Sequence, residues 1–293
     1  MENKKALIFG ANGQDGFYLN EILSENGITC LNISRQGPGI KGDTSNYPFV
    51  ENLIKESRPD YIFHLAANST TRHSALFENQ LTIVTGTLNI LEAARLYRPG
   101  AKIFITGSAL QFLNKGQPVN EKTPFEATSA YAAARIQATY LARYFRTTFS
   151  MKVYLGYFFN HDSPLRRENH VNQKIVMAAK RFALGESGKL LLGNIHVKKE
   201  FNFAGDMVMA VWTLVNQENI FEAVLGCGQA HSIKEWITVC FERFNLNWPD
   251  FVEQDQHYIR EYEILVSDPG LLFEMGWRPA VNFFQLADMM LKG

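Results

Sequence analysis

The sequence predicts an α/β fold built on a doubly wound parallel sheet, and three observations support this prediction. First, short apolar segments alternate with longer helical patterns through the first half of the chain, as expected of a sheet with helices on both faces. Second, the apolar segments are nearly continuous, which is typical of parallel strands buried on both sides. Third, a glycine-rich turn at residues 10–16 directly follows the first apolar segment and precedes a helical pattern.

The first half of the chain predicts five strands separated by helices. The predicted strands are residues 6–9, 29–33, 61–65, 102–106 and 152–157. The predicted helices are residues 18–24, 49–55, 82–97 and 129–149. In the third of these helices the apolar side chains of Ile83, Leu88 and Leu91 come close to helical rather than alternating spacing.

The turn at residues 10–16 is the first candidate functional feature. Gly10, Gly13 and Gly16 permit a tight turn and let the backbone approach a pyrophosphate at the N-terminus of the following helix. This strand–turn–helix pattern is that of a Rossmann-type dinucleotide-binding domain. The second strand leads to Arg35, about 20 residues beyond the glycines. An acidic residue there would bind the ribose 2′-hydroxyl of NAD, whereas arginine accommodates a 2′-phosphate, so Arg35 favours NADP over NAD.

The second half of the chain departs from the regular alternation after about residue 156. Pro164 and a loop at residues 193–203 interrupt a mixed helical region. Residues 223–226 are expected to return to the sheet, ahead of a helix starting near Ser232. We therefore expect a smaller, mostly helical C-terminal substrate domain. The predicted division is a Rossmann-type domain at residues 1–158, rejoined by residues 203–228, and a discontinuous second domain at residues 159–293.

Composition and charge exclude several classes of function. The chain has 293 residues with 29 Lys plus Arg and 29 Asp plus Glu, so its formal net charge is zero. A generic binder of nucleic acid or of acidic membranes needs a basic excess, so neither partner is expected. Cys30, Cys227 and Cys240 are too few and too scattered for a disulfide framework or a zinc site, and no metal site is predicted. Because no apolar run approaches about 18 residues and the N-terminus enters a strand, we expect a cytoplasmic protein without signal peptide or membrane span.

A second candidate feature combines Ser108 with Tyr131 and Arg135. Residues four apart lie on one face of a helix, so Tyr131 and Arg135 point into the same space. A cation beside a phenol stabilises the phenolate, which lets the hydroxyl exchange a proton near neutral pH. Ser108 comes just after the predicted strand that ends at Thr106, where ligand-facing residues collect in open α/β sheets. These residues therefore predict an acid–base site at the edge of the sheet.

Motifs spread over nearly the whole chain carry a resemblance to a known family. They are Gln14-Asp15-Gly16, Leu65-Ala66-Ala67, Gly86-Thr87-Leu88, Thr123-Pro124-Phe125, Asn160-His161-Asp162-Ser163-Pro164, Leu192-Gly193-Asn194, Lys199-Glu200 and Gly276-Trp277-Arg278-Pro279. With them the chain resembles the extended short-chain dehydrogenase/reductases, and within them the group of GDP-mannose 4,6-dehydratases and GDP-4-keto-6-deoxymannose reductases. The resemblance implies a nicotinamide dinucleotide cofactor and a nucleoside-diphosphate sugar, GDP-linked, as the substrate. It also implies homodimers or homotetramers that pair through the helices near Leu88 and Ala138.

The resemblance implies roles for individual residues. Ser108 and Tyr131 match the catalytic hydroxyl pair, and Arg135 stands where the family has lysine. Residues at cofactor-binding positions are Gly10, Asn12, Gly13, Gln14, Asp15, Gly16, Arg35 at the 2′-phosphate, Asp43 at the adenine, Leu65, Ala66, Ala67 and Thr106. Residues at substrate-binding positions are Ser74 and Asn160 at the sugar or its diphosphate, Lys174, Lys199 and Arg260 at the diphosphate, and Asn194 and Glu263 at the nucleoside.

Three positions depart from the family pattern. Arg135 keeps the positive charge of the family's lysine but is bulkier and does not relay a proton. Ile83 replaces an asparagine usually found three residues before the Gly86-Thr87 pair. Leu110 replaces the glutamate that removes a sugar proton in the dehydratases, and the nearest carboxylate downstream in the sequence is Glu121. Because an apolar side chain cannot act as a general base, Leu110 argues against water elimination.

The sequence therefore predicts an NADP-dependent oxidoreductase that reduces the C4 keto group of a GDP-linked 6-deoxy sugar. In that reaction Tyr131 exchanges a proton with the C4 oxygen, Ser108 holds that oxygen, and Arg135 supports the tyrosine and the cofactor. The alternatives are a GDP-mannose 4,6-dehydratase-like lyase that recruits its base from elsewhere and a nucleotide-sugar epimerase, since all share a C4 step. A non-catalytic sensor of NADP or of a nucleotide sugar is a further alternative, suggested by Ile83 and Arg135.

Overall fold

The structure of the protein is a computed structural model that describes residues 4–255 and 262–293. Its strands are β1 (Lys5–Phe9), β2 (Thr29–Ser34), β3 (Ile40–Lys41), β4 (Tyr61–His64), β5 (Lys102–Ser108), β6 (Val153–Phe158), β7 (His161–Asp162), β8 (Leu190–Leu192), β9 (Lys198–Glu200), β10 (Asn202–Phe203), β11 (Glu222–Leu225), β12 (Ala230–Ser232), β13 (Val252–Gln254) and β14 (Ile264–Leu265). Its α-helices are α1 (Gln14–Glu25), α2 (Tyr47–Ser57), α3 (Leu76–Asn79), α4 (Gly86–Tyr97), α5 (Ala130–Phe149), α6 (Val171–Ala183), α7 (Ala204–Val215), α8 (Ile233–Glu242), α9 (Gly270–Glu274) and α10 (Phe283–Lys292). Short 3₁₀ helices lie at His73–Ala75, Ala109–Gln111 and Trp248–Asp250, and a π-helix at Gln80–Thr85 joins α3 to α4.

Seven parallel strands form the central sheet in the order β11-β6-β5-β4-β1-β2-β3. This order confirms the predicted doubly wound fold, and the five predicted strands are found with ends shifted by at most about two residues. The chain builds outward from β1 in both directions, so the glycine turn after β1 lies near the reversal point of the strand order. Open sheets of this kind bind ligands at the carboxyl ends of the strands around that point.

Alternate side chains of the central strands pack on opposite faces of the sheet, which explains their continuous apolar character. In β1, Leu7 and Phe9 belong to one apolar cluster, whereas Ala6 and Ile8 belong to another. Residues of α2, α4 and α5 complete the first cluster, and residues of α1 and α7 complete the second. These four side chains of β1 are fully buried, so burial of apolar surface holds helices to both faces of the sheet.

The second half contains more strand than the sequence predicts. Residues 193–203 are a loop in the sequence prediction, but they contain β9 and β10. β9 pairs antiparallel with β12 and parallel with β14, and β10 pairs parallel with β7. The prediction is wrong there because Lys198, Lys199 and Glu200 lack the apolar alternation that marks a strand. These three residues form a strand because they pair with segments that are distant in the sequence.

A third apolar cluster fills the second half of the chain. Residues of α6, α8 and α10 surround Trp236, which is fully buried and donates its indole N–H to the carbonyl of Asn172 (3.2 Å). Ser232 caps α8, which is the helix predicted near that residue. In contrast, α7 and β11 pack onto the central sheet, where β11 pairs with β6. The chain therefore returns to the sheet before it completes the third cluster.

Two kinds of feature are not found within residues 4–255 and 262–293. No helix there combines the length and the apolar character that crossing a bilayer requires. No group of three His, Cys, Asp or Glu side chains there is placed to hold a metal ion.

Candidate active site

The glycine turn is shaped by close contacts that only glycine allows. Gly10 has a φ of +91°, and a Cβ on it would lie 2.6 Å from the backbone nitrogen of Ala66. A Cβ on Gly16 would lie 2.5 Å from the backbone of the turn itself. α1 starts at Gln14, directly after its N-cap Gly13, and not at residue 18 as the sequence predicts. The helix therefore presents its first N–H groups from within the turn, an arrangement that fits the pyrophosphate of a dinucleotide.

The side chains of Gln14 and Asp15 face the second half of the chain. Ser163 Oγ donates to Gln14 Oε1 (2.9 Å), and Asp15 Oδ1 lies 2.9 Å from His161 Nε2. Burial acts to lower the pKa of His161, but the Asp15 carboxylate outweighs burial and raises that pKa above its usual value. Burial also acts to raise the pKa of Asp15, yet His161 and Arg166 hold it below its usual value. Both groups thus favour their charged forms, and the pair ties the turn to β7.

Arg35, the predicted contact of a 2′-phosphate, directly follows β2 and pairs with a carboxylate. Its Nη2 lies 3.0 Å from Oε1 of Glu78, and Asn68 Nδ2 donates to Oε2 of Glu78 (2.7 Å). Hydrogen bonds from Asn68 and Arg35 hold the pKa of Glu78 below its usual value. Asn12, in the glycine turn, donates to Ser34 Oγ (2.6 Å) at the end of β2. No motif or spacing in the sequence predicts the contacts of Glu78.

The remaining predicted cofactor residues lie along the same edge of the sheet. The N–H of Leu65 donates to the carbonyl of Phe9 (2.9 Å), which places residues 65–67 just beyond β4 and beside the glycine turn. Asp43 Oδ1 accepts hydrogen bonds from both N and Oγ of Ser45 at 2.8 Å. The Asp43 carboxylate therefore shapes its own loop between β3 and α2.

Tyr131 and Arg135 lie side by side on α5. Arg135 Nε donates to the Tyr131 hydroxyl oxygen (3.1 Å), and Arg135 Nη1 donates to the carbonyl of Thr106 (2.5 Å). The guanidinium carbon also lies 5.1 Å from the centroid of the Tyr131 ring. Arg135 is 3% exposed and Tyr131 is 6% exposed. Arg135 therefore holds the phenol oxygen of Tyr131 in place, where the hydroxyl can exchange a proton with a ligand.

Ser108 ends β5, two residues beyond Thr106. Its Oγ accepts from Leu110 N (3.2 Å), and its own N–H donates to Gln111 Oε1 (2.9 Å). These contacts form a capping box that fixes the serine at the carboxyl edge of the sheet. With its oxygen accepting, the Ser108 hydroxyl keeps its hydrogen to donate to a ligand. Since Arg135 reaches the Thr106 carbonyl, the structure brings all three predicted catalytic residues to the end of one strand.

A cavity of about 290 Å³ adjoins the end of β5. Leu110, two residues after Ser108, lines it together with Ser129 at the start of α5 and Tyr262. The apolar side chain of Leu110 thus forms part of the wall at the position where the resemblance places a glutamate. The cavity is the candidate sugar site, because residues directly after Ser108 and directly before α5 line it.

Glu126 is a cavity residue that no sequence motif marks. A short antiparallel bridge between Phe112 and Phe125, followed by a 2.9 Å backbone hydrogen bond from Glu126 N, lays this segment beside the end of β5. Among the described residues that line the cavity, Glu126 alone carries a carboxylate. Glu121, the carboxylate nearest in sequence, instead accepts from a backbone N–H of β11 (2.7 Å), and burial raises its pKa. The pairing of Phe112 with Phe125, which the sequence does not reveal, brings Glu126 to this cavity.

A second cavity of about 250 Å³ shares Tyr262 with the first. Lys174, Asn194 and Lys199 line it, so three of the predicted substrate residues face one space. Burial lowers the pKa of Lys199 to about 8, although Asp162 acts in the opposite direction. Two cations beside one cavity suit an anionic group such as a diphosphate.

The predicted nucleoside contacts face a third, neighbouring space. Asn194 also lines a cavity of about 430 Å³, together with Glu263 and Lys198. Because the second cavity shares Tyr262 with the first and Asn194 with the third, the three cavities form a row. That row starts beside Leu110, just after β5, and ends between β9 and β14.

The other predicted positions have different surroundings. Asn160, between β6 and β7, has a buried side-chain Oδ1 that lacks a hydrogen-bond partner within the described ranges, so it is suited to accept from a ligand. Ser74 is exposed in the 3₁₀ helix at His73–Ala75. Ile83 is fully buried in the apolar cluster on the α4 side of the sheet. Arg260 lies outside the described residues.

A family model described as GDP-mannose 4,6 dehydratase matches residues 7–290. The chain belongs to the GDP-mannose 4,6-dehydratase family. It is 33% identical over 320 residues to GDP-mannose 4,6 dehydratase 1 of Arabidopsis thaliana, covering 98% of this chain and 89% of that protein. It is 29% identical over 334 residues to GDP-mannose 4,6 dehydratase of Homo sapiens, covering 98% of this chain and 90% of that protein. These matches confirm the resemblance drawn from the motifs.

Solved structures share the fold at lower sequence identity. RMD from Pseudomonas aeruginosa, complexed with NADPH, has a TM-score of 0.86 at 20% identity, covering 99% of this chain and 98% of that chain. The dTDP-glucose 4,6-dehydratase of Bacillus anthracis, in complex with NAD, has a TM-score of 0.85 at 18% identity, covering 99% of this chain and 96% of that chain. At these identities the likeness establishes the extended dehydrogenase/reductase fold.

Family membership makes the protein an enzyme of nucleotide-sugar chemistry and favours one of the predicted activities over another. The matched family model and the relatives are named dehydratases. The dehydratase alternative is therefore better supported than the reductase that the sequence predicts from Leu110.

Proposed function

We propose that the protein is a GDP-mannose 4,6-dehydratase-like enzyme that uses NADP and removes water from a GDP-linked hexose. The observation that carries this proposal is the placement of Ser108, Tyr131 and Arg135 at the end of β5, where residues two positions from Ser108 and from Tyr131 line a cavity together with Glu126. Family membership and the names of the relatives support the reaction class.

The glycine turn is the proposed site of the cofactor pyrophosphate, held by backbone N–H groups of the first turn of α1. Such a cofactor, when bound, accepts a hydride from C4 of the sugar and returns one to C6. Arg35 supports the choice of NADP, because a guanidinium forms charge-assisted hydrogen bonds with a 2′-phosphate. NAD is the alternative, since neighbours of the same fold are complexed with NADPH or with NAD.

At C4, the proposed work of the chain is proton transfer. The Tyr131 oxygen takes the proton of the C4 hydroxyl, and the N–H of Arg135 stabilises the phenolate before that transfer. Ser108 donates a hydrogen bond to the C4 oxygen and holds it in place. General acid–base groups of this kind typically contribute about 10²–10⁴ in rate.

Elimination of water requires a base for the C5 proton and an acid for the C6 hydroxyl. Leu110 provides neither, so Glu126 is the proposed group. Its carboxylate takes the C5 proton while the C5–C6 double bond forms and the C6–O bond breaks. The same proton leaves with the C6 hydroxyl as water, which regenerates the carboxylate. When a hydride returns to C6, C5 takes up one proton, which balances the proton that Tyr131 took from the C4 hydroxyl.

The row of cavities supports a nucleoside diphosphate sugar as substrate. The sugar would occupy the cavity with Leu110 and Glu126, and the diphosphate would lie against Lys174 and Lys199. The nucleoside would reach Asn194 and Glu263. This arrangement uses four of the substrate residues that the resemblance implies.

A reductase of a GDP-linked 4-keto sugar is the second candidate, because Leu110 leaves the family's glutamate position apolar. The two candidates differ in whether water is lost. Incubation of GDP-mannose with the protein and NADP, followed by mass spectrometry, is expected to produce a species about 18 Da lighter at an enzymatic rate. Tyr131→Phe is expected to abolish that product, and Tyr140→Phe, at an exposed position on the same helix, is expected to retain it.

The variant Glu126→Gln separates the two candidates. It is expected to lose water elimination by about 10²–10⁴-fold while retaining GDP binding. Retention of full elimination in Glu126→Gln would exclude Glu126 as the base. If the unmodified protein makes no lighter species but oxidises NADPH with GDP-4-keto-6-deoxymannose, the reductase is correct. If the protein binds NADP and GDP-linked sugars but catalyses neither water elimination nor NADPH oxidation, the non-catalytic sensor is correct.

We also propose that the protein forms dimers through the outer face of α4 and α5. Leu88 and Leu96 on α4, and Tyr140 and Tyr144 on α5, are large apolar side chains between 42% and 57% exposed. Such a patch on neighbouring helices is typical of an interface between subunits. Ala138, named with Leu88 in the sequence prediction, is itself buried in the core. Light scattering measures the mass of the assembly directly.

A further inference from the structure

Glu78 is held on both of its carboxylate oxygens by residues from two other segments. Arg35 Nη2 lies 3.0 Å from Oε1, and Asn68 Nδ2 donates to Oε2 at 2.7 Å. Arg35 follows β2, Asn68 lies four residues beyond β4, and Glu78 belongs to α3. The side chains of Arg35 and Glu78 are 54% and 39% exposed, so solvent and a ligand can reach the pair.

The position of this contact follows from the order of the strands. In the sheet, β1 lies between β4 and β2. A chain of contacts from Arg35 to Asn68 therefore crosses the carboxyl end of β1, where the glycine turn begins. In folds of this type the ribose 2′-position of a dinucleotide is recognised at the end of the second strand. Glu78 thus places a negative charge beside the residue that would recognise the 2′-phosphate.

The two charges favour different cofactors. An unpaired Arg35 would bind the 2′-phosphate of NADP by charge-assisted hydrogen bonds. With Glu78 in contact through Nη2, the phosphate must share Arg35 with the carboxylate or replace it, and then lies near a like charge. A ribose 2′-hydroxyl is neutral and can donate a hydrogen bond to the same carboxylate. Because exposed ion pairs contribute little, this exchange is feasible, but it reduces the advantage that Arg35 gives to NADP.

We propose that Glu78 determines cofactor selectivity by pairing with Arg35 and thereby reducing the preference for NADP over NAD. This inference rests on the proposed dinucleotide site. Asn68 acts as a positioning residue, because its hydrogen bond holds the carboxylate toward Arg35. The protein therefore binds both cofactors with affinities closer to each other than Arg35 alone would allow.

The test is fluorescence titration of NADPH and of NADH into the unmodified protein and four variants. Glu78→Gln is expected to tighten NADPH binding by about two- to fivefold, as release of an exposed ion pair allows, and to leave NADH unchanged or weaker. Asn68→Ala is expected to shift the ratio of the two dissociation constants in the same direction by less. Arg35→Ala is expected to weaken NADPH and to spare NADH. Asp288→Asn, which breaks the exposed Asp288–Arg243 pair away from the dinucleotide site, is the matched control and is expected to leave the ratio unchanged.

The outcomes separate this inference from the proposed function. If the unmodified protein binds neither dinucleotide, the cofactor site itself is wrong and the inference falls with it. If both dinucleotides bind but Glu78→Gln leaves their ratio at the unmodified value, the cofactor site stands and the role of Glu78 is refuted. Thermal denaturation of Glu78→Gln at the unmodified midpoint excludes a folding defect as the cause of any change.

Discussion

The cofactor edge and the sugar cavities of this protein are built in different ways. The cofactor edge depends on backbone, in a contiguous turn where a Cβ on Gly10 or Gly16 would lie within 2.6 Å of other main-chain atoms. The cavities depend on side chains from distant segments, such as Leu110, Glu126 and Tyr262. A substitution in the turn therefore disturbs the fold and the site together, whereas a substitution in the cavities changes chemistry and leaves the fold largely intact.

The largest effect that tests this difference is expected for Gly10→Ala. The new Cβ would meet the Ala66 nitrogen at 2.6 Å, and the φ of +91° disfavours any side chain. Strain and overpacking together are expected to destabilise the protein by about 2–5 kcal/mol and to abolish dinucleotide binding. Urea denaturation and NADPH titration measure the two effects.

Gly27→Ala is the matched control for that variant. Gly27 also has a positive φ, of +70°, but a Cβ there would meet nothing within 4 Å in the described structure. Gly27→Ala is expected to lower the free energy of unfolding by about 1–2 kcal/mol, because only the positive φ disfavours the new side chain. Dinucleotide binding is expected to be preserved. Equal losses of stability in the two variants would show that the close approach of the turn to Ala66 is unimportant.

The same difference explains how much the sequence predicts. Local patterns predict the sheet, because the strands are continuous apolar runs, and they predict the Tyr131–Arg135 contact, because residues four apart share a helix face. They do not predict Glu126 or Glu78, since each reaches its site through tertiary contacts with another segment of the chain, residues 111–112 for Glu126 and Arg35 for Glu78. They do not predict β9 either, because its residues are charged and only its partners β12 and β14 make it a strand.

A second prediction concerns the pH dependence of diphosphate binding at Lys199. The pKa of this buried lysine is lowered to about 8, so it loses its proton as the pH rises through that value. If it binds the diphosphate in its charged form, the affinity for GDP is expected to fall by up to about tenfold per pH unit above pH 8. Lys199→Arg keeps its charge throughout, so its affinity is expected to stay flat from pH 7 to pH 9. Calorimetric titration with GDP at several pH values gives the slope of affinity against pH for the unmodified protein and for Lys199→Arg. Identical slopes in the two proteins would remove Lys199 from the diphosphate site.

The smallest expected effect tests the contact that joins the two regions, the Asp15–His161 pair. The pKa of His161 is raised, so its contribution to stability is complete below the unfolded value of 6.5 and is lost as the pH rises through the folded value. The pKa of Asp15 is lowered, so its contribution is present above the unfolded value of 3.8 and is lost as the pH falls through the folded value. The pair therefore stabilises the protein most between about pH 4 and pH 6.5.

Asp15→Asn keeps the shape of the side chain and removes its charge. The free energy of unfolding of the unmodified protein is expected to exceed that of Asp15→Asn by about 1 kcal/mol at pH 5.5, and the difference is expected to shrink toward pH 8.5. Asp288→Asn, which breaks an exposed pair with Arg243, is the control. Its partner does not titrate in this range, so its difference from the unmodified protein is expected to stay constant. A gap for Asp15→Asn that is equally constant with pH would mean that the Asp15 charge does not change the protonation of His161, which would refute the ion pair between the glycine turn and β7.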